Sequence, residues 1–245
     1  MTRERRLTCA TWNIHRARGP DGRVDPARVV DAIARHLGGG RLDVLALQEA
    51  DAERPPHAGL VDIAQIAWIT GLDPAQDAPE LRWGAQSDGF LGTVLLLHPR
   101  LRRLHADLID LPGHCPRGAV AVEMDADGRA VRIASAHLSL SQSLRIVQMR
   151  IFGQYLRRRP PMQTIFLGDF NEWRPWGGLM FAPRVAGTPF RGPARRTFPS
   201  TRPLLPLDRV LTDLPGRVVA TQVLREPAFA RASDHLPLHA IVETP

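Results

Sequence analysis

The sequence predicts an α/β (α+β) layer fold, with sheets covered by helices. Three observations carry this. Residues 7–14, the helical stretch after Asp25-Pro26 and residues 43–47 follow one another as strand, helix, strand, the order of a crossover unit. Residues 119–124 and 130–137 flank Asp127-Gly128, a strong hairpin signal. Residues 141–159 form a long helical pattern, and 164–167 after it have the unbroken β-branched and aromatic character of a strand buried on both faces.

In chain order, the first strand ends in Thr11-Trp12-Asn13-Ile14-His15, and Asn13 and His15 share a face by the period of two. An arginine- and glycine-rich loop, 16–23, precedes Asp25 as N-cap and Pro26 at the first helical position. Val29, Ile33 and Leu37 make the apolar stripe, and Gly38-Gly39-Gly40 ends the helix. The buried strand 43–47 delivers Gln48-Glu49 at its end. A second helical pattern at 60–70 (Leu60, Ile63, Ala67) closes at Gly71, and Pro99 stops a strand at 92–98. After the Leu111-Pro112-Gly113 turn comes the hairpin, whose second strand ends at Ala136-His137-Leu138.

The helix 141–159 carries Leu144, Val147, Ile151 and Tyr155, and its Arg157-Arg158-Arg159 end suits the helix dipole. The strand after it ends in Gly168-Asp169-Phe170-Asn171. Asp169 and Asn171 can then face one point while Phe170 anchors in the core, and the glycine lets backbone approach a ligand. Residues 173–203, rich in Pro, Gly, Arg and aromatics, read as a long surface loop bordering a site, with a short helical stretch at 178–181. Strands at 207–212, 218–224 and 238–242 complete the chain, with Ala232-Ser233-Asp234-His235-Leu236-Pro237 before the last. No repeats or linkers interrupt it, so residues 1–245 read as one domain.

Apolar content of 44% and charge of 23% are ordinary for a globular protein. The net charge of +7 contains no lysine, so all 32 basic residues are arginine. That balance favours polyanionic partners such as nucleic acid, anionic lipid headgroups or phosphorylated small molecules; compositional bias would also replace lysine. Cys9 and Cys115 suggest neither a disulfide framework nor zinc spacing, so reduced thiols and a cytoplasmic location are expected. No apolar leader precedes the first strand, and no run approaches a membrane span.

Asn13, Glu49, His137, Asp169, Asn171, Asp208, Asp234 and His235 each lie at or near a strand terminus, where layered folds build sites. Acids, amides and imidazoles without a serine or cysteine nucleophile motif suit metal-assisted hydrolysis.

Thr11-Trp12-Asn13-Ile14-His15, Leu47-Gln48-Glu49, Ala136-His137-Leu138, Gly168-Asp169-Phe170-Asn171, Leu207-Asp208-Arg209-Val210 and Ser233-Asp234-His235 occur in that order. Together they resemble the endonuclease/exonuclease/phosphatase superfamily, with a deoxyribonuclease I-like fold. The resemblance implies a four-layered α/β/β/α sandwich of two mostly antiparallel sheets and a monomeric, divalent-metal-dependent phosphoesterase. Glu49 is implied as the main ligand of Mg²⁺, with Mn²⁺ as the alternative; Asn13 and Asp234 complete the surroundings through water or by holding Glu49 and the phosphate. Asp169 would orient or deprotonate water, and Asn171 would donate to phosphoryl oxygens. Asp208 and His235 would form an acid–imidazole pair. His137 would bind phosphate or assist the leaving group. Arg117 is read as a surface arginine and stands outside the set.

Two departures bear on substrate. Members that cut at abasic sites carry an acid where this chain has His15 and tyrosine where it has His137, so that repair role is not expected. The lack of long insertions leaves little extra surface for a duplex, which favours a small or lipid-borne phosphoester. A non-specific endo- or exonuclease is the alternative within the class. A catalytically inactive anion-binding domain of the same fold is opposed by the intact set of site residues, and a basic nucleic-acid-binding module by the lack of a reading helix.

Overall fold

The computed structural model describes residues 6–113 and 115–244. The expectation of no apolar leader concerns residues 1–5, which lie outside the described residues. Two mixed sheets pack face to face. The first contains β1 (Arg6–Asn13), β2 (Val44–Gln48), β3 (Asp73–Pro74), β4 (Val94–Leu97), β10 (Arg217–Val223) and β11 (Leu238–Glu243), in the order β10-β11-β1-β2-β4-β3. The second contains β5 (Leu101–Leu111), β6 (Arg117–Ala126), β7 (Ala130–His137), β8 (Gln163–Asp169) and β9 (Asp208–Thr212), in sequential order.

Alternation along the strands divides the core in three. Leu7, Cys9, Val44, Ala46 and Leu95 meet Val120, Val122, Ile133, Ile165 and Leu167 between the sheets. The outer face of the first sheet, with Trp12 and Leu45, is covered by α1 (Pro26–His36), α2 (Ile63–Thr70) and α5 (Pro227–Ala232). That of the second, with Phe166 and Ala134, is covered by α3 (Gln142–Arg158) and α4 (Pro183–Ala186). The layers are therefore α/β/β/α. Among the described residues no helix is long and apolar enough to cross a membrane, and both cysteines are free thiols.

Most strand pairs are antiparallel, and the two exceptions position the site. β1 and β2 pair in parallel with Asn13 opposite Gln48, and β7 and β8 pair in parallel with His137 opposite Asp169. Antiparallel β9 then places Asp208 opposite Asp169. Each parallel pair is joined by a covering helix, α1 or α3, as a crossover requires. The hairpin turn is as expected: Asp127 and Gly128 both have positive φ (56° and 86°), and Gly128 N–H donates to Asp125 Oδ1 at 2.6 Å.

Two local expectations need correction, and β5 and α5 are additions to them. Asp25 precedes α1 but makes no capping hydrogen bond, and its carboxylate pairs with Arg28 at 3.2 Å instead. β5 was not expected, because as an edge strand it exposes Arg102 and Arg103 and lacks apolar continuity. α5 is a short turn of helix on the outer face, also unforeseen. Residues 173–203 are no mere surface loop, since Met180, Val185, Ala186 and Phe190 pack against Phe152 and Phe170, and the helical turn lies at α4, not at 178–181.

On the outer face of the second sheet Glu123 and Arg132 form a directly opposed cross-strand pair at 2.9 Å, and Arg159 binds both oxygens of Glu123 at 3.0 Å. Burial raises the Glu123 pKa, but the two guanidinium groups outweigh it and hold the carboxyl below its ordinary value. Such a group adds stability above its unfolded pKa near 4.5, lost as pH falls through the lower folded value. Glu123→Gln, which leaves Arg132 buried without its counter-ion, is expected to cost about 3 kcal/mol in urea unfolding at neutral pH. The loss should shrink on acidification. A loss that is unchanged or larger in acid would remove the ion pair as its cause.

Candidate active site

The C-terminal ends of β1, β2, β7 and β8, the start of β9 and the turn before β11 meet at one rim of the sandwich. Asp169 is their meeting point. Its Oδ2 accepts from Asn13 Nδ2 at 2.9 Å across the gap between sheets, and lies 3.5 Å from His137 Nε2 and 3.8 Å from His235 Nε2. Asn13 Nδ2 also reaches Glu49 Oε1 at 3.4 Å, and its Oδ1 accepts the His15 backbone N–H. All eight expected residues thus lie in one connected set.

The backbone differs from the extended reading in two places. β8 stops at Asp169, and Asn171 has a left-handed φ of 51°. Its N–H donates to Asp169 Oδ1 at 2.9 Å, and its side-chain amide donates to Leu138 O at 2.9 Å and approaches His137 Nε2 at 3.2 Å. Phe170 is buried as expected. At Gly168 a Cβ would lie 2.0 Å from the Ala136 carbonyl oxygen of the neighbouring strand, so the close approach seen here is to backbone. His15 does not share an extended face with Asn13, because His15, Arg16 and Ala17 all have positive φ. The His15 ring instead stands 3.3 Å from Asp234 Oδ1.

His235 is fixed from several sides. Its Nδ1 meets Asp208 Oδ2 at 2.8 Å, its backbone carbonyl accepts from Trp12 Nε1, and Phe198 packs on the ring at 4.8 Å. Thr197 donates to the same Asp208 oxygen. Burial alone would discharge the imidazole, but Asp208 and Asp169 outweigh it and push its pKa up to about 10. Burial raises the Asp169 carboxyl to about 6; the His235 charge opposes this and the Asp208 charge adds to it. His137 is held well below 6.5 by burial and by the Arg117, His235 and Arg16 charges, and is neutral at neutral pH. Asp208 and His235 are thus an ion pair, and His137 a neutral hydrogen-bonding group.

Two places could take a cation. Asp169, Asp208 and His235 offer ligand atoms within 4.8 Å of one another, but Asp208 Oδ2 is already committed to His235 and Thr197. Glu49 and Asp234 form the second place. Glu49 Oε2 and Asp234 Oδ1 are buried oxygens that accept no well-aligned hydrogen bond; the Arg16 guanidinium stands 2.7 Å from the first and the His15 ring 3.3 Å from the second, and the Asn13 amide is adjacent to Glu49. Two carboxylates beside an amide match the preference of Mg²⁺ for oxygen ligands.

Sequence reasoning missed several contributors. Arg16 Nη1 lies 2.7 Å from Glu49 Oε2, and Thr197 and Phe198 support Asp208 and His235. Their only signal in the sequence was position in loops flanking the motifs. Arg117, set aside as a surface residue, is partly buried beside Arg16, Glu49 and His137 in a small cavity.

A family model described as "Endonuclease/Exonuclease/phosphatase family" matches residues 10–235. Solved structures of similar fold include an endonuclease/exonuclease/phosphatase from Beutenbergia cavernae DSM 12333, 22% identical over 98% of this chain and 72% of that one, with a TM-score of 0.67. One from Bacteroides vulgatus is 15% identical, covering 98% and 99%, with a TM-score of 0.75. D. rerio TDP2 complexed with single strand DNA product is 17% identical, covering 98% and 99%, with a TM-score of 0.71. At these identities the likenesses establish the fold. No curated protein matches the sequence.

If Asp208 is what keeps His235 charged, Asp208→Asn should bring the imidazole pKa down from about 10 towards the ordinary 6.5. NMR titration of the His235 ring nitrogens reads this directly. A pKa that stays near 10 in the folded variant would assign the shift to another group.

Proposed function

The chain belongs to the endonuclease/exonuclease/phosphatase family, and from that premise we propose that residues 1–245 form one domain that hydrolyses a phosphoester by direct attack of water on phosphorus. The observation that carries this reading is the convergence on Asp169: Asn13, His137 and His235 come within 2.9, 3.5 and 3.8 Å of one carboxylate oxygen.

Asp169 is the general base that orients the water and takes its proton. Its pKa of about 6 leaves it ionised at neutral pH yet basic enough to accept a proton. Asn13 fixes the carboxylate. His235, kept cationic by Asp208, stabilises negative charge on the phosphoryl oxygens; a charged ring cannot itself be the base. His137, neutral, hydrogen-bonds the phosphate. One Asn171 hydrogen is spent on Leu138, and the other, near His137, is the one available to a phosphoryl oxygen. Glu49 and Asp234 would hold Mg²⁺, or Mn²⁺, which supplies positive charge to the phosphate and leaving group. The substrate is a small or lipid-borne phosphoester, supported by His15 and His137 at the positions where abasic-site members differ. An untargeted nuclease is the second reading, favoured by the arginine-rich composition.

Chelation of bound metal should abolish turnover of a model phosphodiester, and Mg²⁺ should restore it. Full activity in excess chelator would end the metal-dependent reading. Asp169→Asn and His235→Ala should each lower turnover by about 10²-fold or more while the fold is retained. A folded variant with near wild-type rate would remove that residue from the mechanism. Turnover of a small phosphoester should change little between low and physiological salt. Rapid duplex cleavage that collapses over that range, without small-ester turnover, would favour the nuclease reading.

A further inference from the structure

Two buried arginines tie three loops into one rim beside the site. Arg145 of α3, 2% exposed, donates to the Ser139 and Leu140 carbonyls and lies 3.7 Å from the Glu172 carboxylate. Arg209 of β9, also 2% exposed, donates to the carbonyls of Glu172, Arg174, Pro175 and Pro206. The loops after His137, after Asn171 and before Asp208 are thereby held together at Glu172. Each starts or ends within a few residues of a proposed catalytic group.

This rim turns four large apolar side chains to solvent. Leu140 is 78% exposed, Trp173 53%, Trp176 74% and Leu204 52%. A scaffold that fixes its loops through buried guanidinium groups, yet turns two tryptophans and two leucines outward, has the character of an interaction surface. The composition selects the partner. Tryptophan suits a bilayer interface, where its apolar body and polar N–H each find their medium, and leucine adds hydrocarbon that a lipid surface takes up. A platform for stacked bases would use the tryptophans but gain nothing from Leu140 and Leu204.

Charge points the same way. Arg202 is exposed two residues from Leu204. Arg18 is exposed on the loop after β1, which joins the same end through the contact of His15 with Asp234, whose carbonyl accepts from Ser200 at 2.6 Å. The acid on that loop, Asp21, is paired with Arg28 at 2.8 Å. Basic groups flanking an apolar rim match an anionic lipid surface.

We propose that this rim docks the protein on an anionic phospholipid surface, so that a headgroup phosphoester enters the site. The docking stands on the rim; the headgroup as substrate rests on the phosphoesterase reading above.

The test is flotation of the full chain with phosphatidylcholine vesicles, with and without phosphatidylserine, alongside hydrolysis of soluble bis(para-nitrophenyl) phosphate and of vesicle phospholipid. The wild type should float with the phosphatidylserine vesicles. The double variant Trp173→Ser/Trp176→Ser should lose about tenfold or more in partitioning, while its turnover of the soluble ester stays within about twofold because neither tryptophan is in the catalytic set. Trp68→Ser, on α2 and 85% exposed, controls for loss of any surface tryptophan and should float normally. No flotation by the wild type, or equal flotation by the double variant, would overturn the docking. Loss of single-stranded oligonucleotide binding in the double variant, with vesicles ignored throughout, would overturn it in favour of a stacking surface. Docking with turnover of the soluble ester alone would overturn the headgroup assignment. Docking without turnover of either ester would sink the phosphoesterase reading and leave the docking in place.

Discussion

The hydrogen bond from Asn13 to Asp169 makes one site out of two sheets. Each sheet contributes one parallel pair, and each pair brings its polar residues to the same rim by register alone. The sheets otherwise meet through apolar side chains, which fix their separation but not the angle of a carboxylate. At 2.9 Å the Asn13 amide holds one Asp169 oxygen, while the Asn171 N–H holds the other. Buried Gln48 repeats the link one strand over, donating to Ser135 Oγ at 3.3 Å. A small slide of one sheet over the other would break both contacts and part Asp169 from Glu49.

The electrostatics follow from this arrangement. Asp169 and Asp208 are buried close together, and such a pair is unfavourable unless a cation lies between or beside them. His235 is that cation, and the two carboxylates keep it charged. His137, a few ångströms away, experiences the opposite balance, with Arg16, Arg117 and His235 all disfavouring its protonation. Two imidazoles at one site thereby hold different charge states for reasons visible in their neighbours. Arg16 has a similar part at Glu49, where its guanidinium neutralises an acid that would otherwise face Asp234 unscreened.

Much of this was legible in the sequence because it is local. Strand character leading into Asn13, Glu49, His137 and Asp169 placed each at a strand end, and the order of six motifs gave the architecture. What escaped was non-local or irregular. The period-two argument carried Asn171 to the right place by the wrong route, since a left-handed residue, not an extended one, turns it back towards Asp169. The same argument failed for His15, where three successive positive φ values break the strand geometry. The need for glycine at 168 against the neighbouring Ala136 carbonyl has no sign in the sequence, because it depends on strand pairing. Thr197 and Phe198 could not be found, because a loop residue eleven positions from Asp208 has no pattern that announces its return. β5 was hidden by arginines that an edge strand can carry and a central strand cannot.

The arginine-only composition takes on a different meaning in the folded chain. Read from sequence, it meant either attraction to polyanions or compositional bias. Arg132, Arg145 and Arg209 are each almost wholly buried, so part of the positive charge lies inside the molecule and does not contribute to a bare surface field. Their contacts need what lysine lacks. Arg209 spans four backbone carbonyls and Arg145 two carbonyls beside a carboxylate, uses of a planar group with five donors that a three-donor ammonium would serve poorly. Irregular loops carry unpaired carbonyls wherever they pack against a sheet, and each needs a donor. Buried guanidinium groups satisfy them several at a time, which is how long, proline-rich segments can be rigid enough to frame a site.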